Sequence, residues 1–194
     1  MYEHWEELET ACKNCRKCSL RENCTQVVFG EGNRRAKVLF IGEGPGEQED
    51  VQGKPFVGRS GQLLDRMLDA VGLSRHKDLY IANIVKCRPP QNRDPLPEEQ
   101  EQCMDWLRNQ TALMQPKIIV CPGRISAMKI IRPDFKITKE HGIFFEKNGS
   151  LLMATLHPAA LLRNPSSKPG AFDDFIKLRE KMEELGLVER TDYI

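Results

Sequence analysis

Short apolar runs alternate with amphipathic stretches along this chain, and no other feature narrows the possible folds so far. The runs lie at Lys37–Ile41, Tyr80–Val85, Ile118–Cys121 and Leu151–Leu156, each of strand length. Between the first two, Leu63, Leu64, Met67, Leu68 and Val71 fall on one face of a helix over Ser60–Val71. Pro97-Glu98-Glu99 supplies a first-turn proline and favourable acids, so a helix starts near Pro97 and runs towards Met114. A shorter helix is expected over Arg124–Ile131 and a last one over Ala171–Leu185, with Gly186 where a helix stop belongs. This β-α-β-α order implies an α/β fold, a single three-layer domain over 1–194 with a central, mostly parallel four-stranded sheet flanked by helices. Within it, 1–28 is expected to be a helical, cysteine-rich segment and 186–194 a short tail.

In an open α/β sheet, ligands bind in the crevice outside the strand ends. Val38-Leu39-Phe40-Ile41 breaks into Gly42-Glu43-Gly44-Pro45-Gly46-Glu47-Gln48-Glu49-Asp50, and Leu151–Leu156 breaks into His157-Pro158-Ala159-Ala160-Leu161-Leu162-Arg163. A carboxylate and an imidazole from the first and last strands then face each other across one pocket. Two further loops, Cys87–Pro97 and Arg163–Gly170, also follow strand ends and can border it.

The composition excludes several classes. A formal charge of +1 rules out a strongly basic protein, though not a local basic surface. No run approaches the roughly 18 apolar residues of a membrane span. The N-terminus, Met1-Tyr2-Glu3-His4-Trp5-Glu6-Glu7, is acidic and polar, unlike a secretory signal peptide. A cytoplasmic location and no membrane partner are expected.

Seven cysteines in a reducing compartment argue against structural disulfides. Cys121, after Ile118-Ile119-Val120, suits a small buried hydrophobe. Cys12-Lys13-Asn14-Cys15-Arg16-Lys17-Cys18 does not, because its surroundings are polar. A Cys-x2-Cys pair can offer both thiolates to one metal or cluster edge, and Cys87 and Cys103 supply a second half. Four thiolates suit either tetrahedral zinc or an iron–sulfur cluster, and the wide Cys87/Cys103 spacing favours the cluster. By spacing alone, Cys12/Cys15 and Cys15/Cys18 are equally good pairs.

Five blocks in order carry a resemblance: Val27-Val28-Phe29-Gly30-Glu31-Gly32, Gly42-Glu43-Gly44-Pro45-Gly46-Glu47, Gly53-Lys54-Pro55-Phe56-Val57-Gly58, Asn83-Ile84-Val85-Lys86-Cys87-Arg88-Pro89-Pro90 and His157-Pro158-Ala159. From about Cys15 to Phe175 the chain resembles a family-four, iron–sulfur uracil-DNA glycosylase. The resemblance implies the glycosylase α/β fold and a [4Fe–4S] cluster on Cys15, Cys18, Cys87 and Cys103, with Cys12, Cys24 and Cys121 outside the pattern.

It also implies an enzyme that flips uracil out of single- or double-stranded DNA and hydrolyses its glycosidic bond. No lysine is convincingly placed for a Schiff base, so no strand nicking is expected. Phe56 would stack on the base, or else plug the core; Asn83 would read the O4 and N3–H edge. His157 would stabilise the departing base at O2 with backbone N–H groups of the Glu43–Gly46 loop, and Glu43 would stabilise the sugar cation or activate water. Family-one enzymes place an aspartate where this chain has Gly44 and a tyrosine where it has Gly46. Gly44 therefore borders the substrate without an acid, and Glu49 is the candidate for excluding thymine's methyl; Glu47, Glu49 and Asp50 read equally well as a solvated acidic loop.

DNA contacts are expected from Arg59 and Ser60 at a helix start, from Arg163, and from Arg88 and Arg93. Leu161 resembles the apolar wedge that fills the vacated stack, although Leu161-Leu162 can also be simple packing. A DNA-crosslinking relative would carry a histidine in the insert after the Asn83 strand, and Arg88–Pro95 has none. A redox or DNA-binding module is the other rival. A monomer near the nucleoid is expected, and contacts with a sliding clamp or repair partner are not legible.

Overall fold

A computed structural model describes residues 2–190. In chain order its elements are α1 (Trp5–Lys13), β1 (Glu31–Gly32), β2 (Val38–Gly42), α2 (Glu47–Gln52), α3 (Arg59–Ala70), β3 (Tyr80–Asn83), α4 (Pro97–Met114), β4 (Ile118–Pro122), α5 (Arg124–Ile130), α6 (Ile137–Glu140), β5 (Phe144–Lys147), β6 (Ser150–Thr155), α7 (Pro158–Arg163) and α8 (Lys168–Glu184). Part of the expected tail, 191–194, lies outside the described residues. No described helix is long and apolar enough to cross a membrane.

The sheet order is β1-β3-β2-β4-β6-β5. Its four central strands are parallel, as the alternation requires. Two antiparallel edge strands make six where the sequence suggested four. β1 pairs with β3 through only two residues, too few to register as an apolar run. β5 folds back on β6 through Asn148-Gly149, with φ of 53° and 77°. Both turn residues take positive φ, the conformation that favours an Asn-Gly hairpin.

Side chains on the central strands alternate between two cores. Leu39, Ile41, Tyr80, Ala82, Ile119, Cys121, Leu152 and Ala154 face one way, towards Leu8 and Cys12 of α1, Trp106 and Leu107 of α4 and Ala127 of α5. Val38, Phe40, Ile81, Ile118, Val120 and Met153 face the other, towards α3, Leu161 of α7, and Phe175 and Leu178 of α8. Each fully buried large apolar side chain contributes roughly 1.5–3 kcal/mol, so both faces of the sheet must be covered. That is the three-layer arrangement.

Two stretches expected as loops are helical. Glu47–Gln52 forms α2, with Glu49 and Asp50 buried, so the solvated acidic loop is corrected. Asp50 Oδ1 accepts the Thr25 N–H at 3.0 Å. In the second, α8 begins at Lys168 and carries Pro169 in its first turn, where a missing N–H costs no helical hydrogen bond.

Candidate active site

The C-terminal ends of the parallel strands open on one crevice of about 620 Å³. Its walls include Glu43, Gly44, Glu49, Phe56, Asn83 and His157, so residues spread over more than a hundred positions meet there. β2 delivers the first of them through Gly42. A Cβ on Gly42 would lie 2.3 Å from Asn83 Oδ1 and 2.8 Å from the Phe56 ring, so only glycine lets these two side chains come together. Gly44 is similarly confined, because a Cβ there would lie 2.7 Å from Val85.

Asn83 ends β3 and is 1% exposed, yet its Oδ1 has no hydrogen-bond partner among the described residues. A buried amide oxygen left unpaired costs about 1–3 kcal/mol. Here it lines the cavity and can accept a donor from a ligand.

Phe56 is also nearly buried, at 6%, and it packs into the core beneath the crevice while lining it. Its backbone has a φ of 51°, a strained conformation for a side chain of this size. Two groups hold it there. The Glu49 Oε1 accepts N–H bonds from Val57 and Gly58, both at 2.8 Å. Arg75 donates to the carbonyls of Pro55 at 3.2 Å and Phe56 at 2.8 Å, and pairs with Asp65 at 2.5 Å. Sequence reasoning missed Arg75, since no motif marks a buried arginine that binds two carbonyls and the acids Asp65 and Glu31. The Phe56 ring lies 5.8 Å from that of His157, tilted 30°.

His157 caps α7, its Nδ1 accepting the Ala159 N–H at 3.1 Å. The ring proton therefore resides on Nε2. Burial, reinforced by Arg163, pushes the imidazole down to about 4, so it stays neutral at physiological pH. Glu43 is displaced the other way. Burial first, then the Asp94 carboxylate, pushes it up to about 7, while Arg124 opposes the rise. Asp94 and Arg124 pair at 2.9 Å on the crevice wall. Neither was singled out from the sequence, although the Cys87–Pro97 loop was expected to border the crevice and Arg124 follows a strand end.

Of the expected DNA contacts, Ser60 and Arg163 line the crevice, and Arg59 is exposed at the start of α3. Arg93 is committed to Glu99, which it grips through two bonds of 2.9 and 2.7 Å. Leu161 is corrected: at 1% exposure it packs into the core with α3 and α8, because its position on α7 faces the sheet. It has no free surface with which to enter a base stack.

On the other face of the sheet the thiols gather. Trp106 Nε1 donates to Cys15 Sγ at 3.3 Å, and the Lys86 N–H donates to Cys103 Sγ at 3.3 Å. Cys15 and Cys18 act electrostatically on Cys103, and Cys103 and Cys18 on Cys87, so the four sulfurs share one neighbourhood. Burial pushes Cys103 up to about 11. Cys24 hydrogen-bonds Cys87, and Cys12 is fully buried beside Cys103 and Cys15. Among the described residues, no three His, Cys, Asp or Glu side chains are grouped as ligands of a single metal ion.

Comparison with known proteins adds an independent finding. A family model described as the uracil DNA glycosylase superfamily matches residues 29–181. The chain is 43% identical over 175 residues to a type-4 uracil-DNA glycosylase of Archaeoglobus fulgidus, covering 86% of this chain and 87% of that protein. It is 44% identical over 158 residues to one from Thermotoga maritima, covering 80% and 82% respectively. A DNA polymerase of Bacillus phage SP01 carries a region 30% identical over 167 residues, which is 86% of this chain and 18% of the polymerase.

Proposed function

The chain belongs to the uracil-DNA glycosylase superfamily, and on that premise we propose that it flips uracil from DNA and hydrolyses the N-glycosidic bond, leaving an abasic site for base-excision repair. The observation that carries this reading is the unpaired, buried Asn83 Oδ1 in the same crevice as a neutral His157. Asn83 Oδ1 accepts from uracil N3–H while its amide nitrogen donates to O4. Cytosine presents the reverse pattern and leaves both groups unpaired. The Phe56 ring, fixed by Glu49 and Arg75, forms the stacking wall. The Glu49 carboxylate stands against Gly46, since a Cβ there would lie 2.8 Å from Oε2, and it narrows the side where thymine's methyl would enter.

In the chemical step the N1–C1′ bond breaks and its electron pair moves onto the base. Positive charge develops on the sugar and negative charge on uracil O2. His157 Nε2–H donates a hydrogen bond to that oxygen without surrendering its proton, because a ring held near 4 is neutral and remains so. Glu43, once ionised, offsets the sugar cation and takes a proton from the water that attacks C1′. Among the described residues no lysine lines the crevice, which supports a monofunctional hydrolase without strand nicking.

The thiol set fits an iron–sulfur cluster: four sulfurs in one neighbourhood, two of them accepting N–H hydrogen bonds in a buried setting. Cys15, Cys18, Cys87 and Cys103 would hold a [4Fe–4S] group. Bound, it supplies a covalent tie between the N-terminal segment, the loop after Asn83 and α4. Ser60, Arg59 and Arg163 would contact phosphates as a monomeric protein engages single- or double-stranded DNA in the nucleoid.

The test uses end-labelled oligonucleotides with one uracil opposite guanine, opposite adenine or unpaired. Cleavage only after hot alkali is expected. Cleavage without alkali would remove the monofunctional reading, and none on any substrate would remove the glycosylase.

A further inference from the structure

Lys86 is among the most buried side chains in the protein, at 1% exposure, and nothing in the chemistry above uses it. Its Nζ donates to the backbone carbonyl of Asn83 at 2.9 Å and to Gln110 Oε1 at 2.7 Å. Gln110 is in turn fixed by its own donation to the Phe29 carbonyl at 2.9 Å. At its other end, the Lys86 N–H holds Cys103 Sγ, and the next residue is Cys87. Both oxygen acceptors of the Nζ are neutral, and the ionisable groups that act on it are the thiols of Cys12 and Cys103. One residue therefore touches the thiol set with its backbone and the base-reading strand end with its side chain.

The chain could stop an Asn at a strand end without such support. β3 ends at Asn83, and beyond it only the Ile84 and Val85 N–H groups continue the ladder, to the Gly42 and Glu43 carbonyls. The Asn83 carbonyl instead accepts the Lys86 Nζ bond in a buried setting, where a backbone acceptor needs a partner. Replacing an ammonium by any shorter polar group breaks one bond or the other. A buried lysine also carries a desolvation cost, which a merely packed position would avoid by being apolar.

We propose that Lys86 is a positioning residue for uracil recognition, holding the Asn83 main chain in register with the Cys87 and Cys103 sulfurs so that the base-reading amide is set from the thiol side of the sheet. This deepens the glycosylase reading and rests on it. It follows that the metal-binding face and the base pocket are coupled through hydrogen bonds, and not only through overall stability.

The experiment compares Lys86→Met and Lys86→Gln with wild type as purified iron-loaded proteins. Iron and sulfide content, thermal melting, equilibrium binding of free uracil and of free cytosine, and kcat and KM on uracil DNA are measured for each. With iron content unchanged, uracil affinity is expected to fall about tenfold in Lys86→Met and less in Lys86→Gln, with cytosine binding unaffected and the uracil-to-cytosine ratio reduced in step. Unchanged uracil affinity at normal iron content overturns the proposal, as does a loss that only tracks lost iron or a lowered melting point. Should Lys86→Met fail to fold, Lys86→Gln and Gln110→Met, which removes the other anchor of the Nζ, decide by the same ratio. Failure of the wild type to excise uracil would instead remove the glycosylase reading itself.

Discussion

The crevice and the thiol set lie at the same end of β3, yet they are built in opposite ways. Glu43 directly follows β2, Asn83 ends β3 and His157 stands two residues past the end of β6, so the sheet's hydrogen bonds place them before any ligand arrives. Cys15, Cys18 and Cys87 sit on irregular chain, and only Cys103 is on a helix. Cys87 and Cys103 are buried and Cys15 and Cys18 half-buried, and burial together with the neighbouring thiols makes Cys103 and Cys87 harder to ionise. The crevice is preorganised by the sheet, whereas three of the four thiols hang on irregular chain. Crevice substitutions should therefore change chemistry at constant stability, whereas thiol substitutions should change stability and carry activity with them.

The sharpest way to break that contrast is Glu43→Gln, expected to lower kcat about 10²–10⁴-fold with the melting temperature unchanged. His157→Gln should cost about 10²–10³-fold in the same single-turnover assay, since it removes one oxyanion donor. A melting temperature that fell with either would show the crevice to be structural. Asn83→Asp comes next. Uracil excision should drop about 100-fold, because a carboxylate repels O4, and discrimination against cytosine should narrow in competition assays.

Cys87→Ser tests the other region. Iron content should fall, and the melting temperature with it, by about 10 °C, with uracil excision falling alongside. Normal iron and melting would remove Cys87 from the ligand set.

A smaller effect sharpens the electrostatic side. Glu43 must be ionised to act, and it is held near 7, so kcat/KM should rise with pH up to about 7 and then level, while His157 stays neutral throughout. Asp94→Asn removes a charge that raises Glu43, so the limb should move to lower pH by under about one unit. The smallest expectation is for Arg163→Ala: a few-fold weaker DNA binding, with the salt slope reduced by about one.

Much of this architecture is legible in the residues, for identifiable reasons. Alternating side chains such as Val38/Leu39/Phe40/Ile41 divide between two cores, and that period marks a central strand buried on both faces. Pro97 with Glu98 and Glu99 marks the start of α4, and Glu99 does bind the Leu96 N–H at 2.7 Å. The Asn148-Gly149 turn was an available signal for β5 that went unused. The inward turn of Leu161 is not legible, because two adjacent leucines on a short helix look alike until a neighbouring layer decides which one is buried.

The sequence alone determined the parallel α/β order, the strand-end position of Glu43, Asn83 and His157, and the family likeness, because these depend on local period and on motifs within a few residues. Only the tertiary structure decided what those groups are. The Ala159 N–H puts the His157 proton on Nε2, and burial with Asp94 lifts Glu43. Arg75 holds Phe56, and Lys86 ties Asn83 to the thiols. The Arg75–Phe56 and Lys86–Cys103 contacts join separate parts of the chain, and the rise of Glu43 follows from lost solvent. The short-range His157–Ala159 and Lys86–Asn83 bonds depend on how the chain turns after each strand; none of these is encoded at a single position.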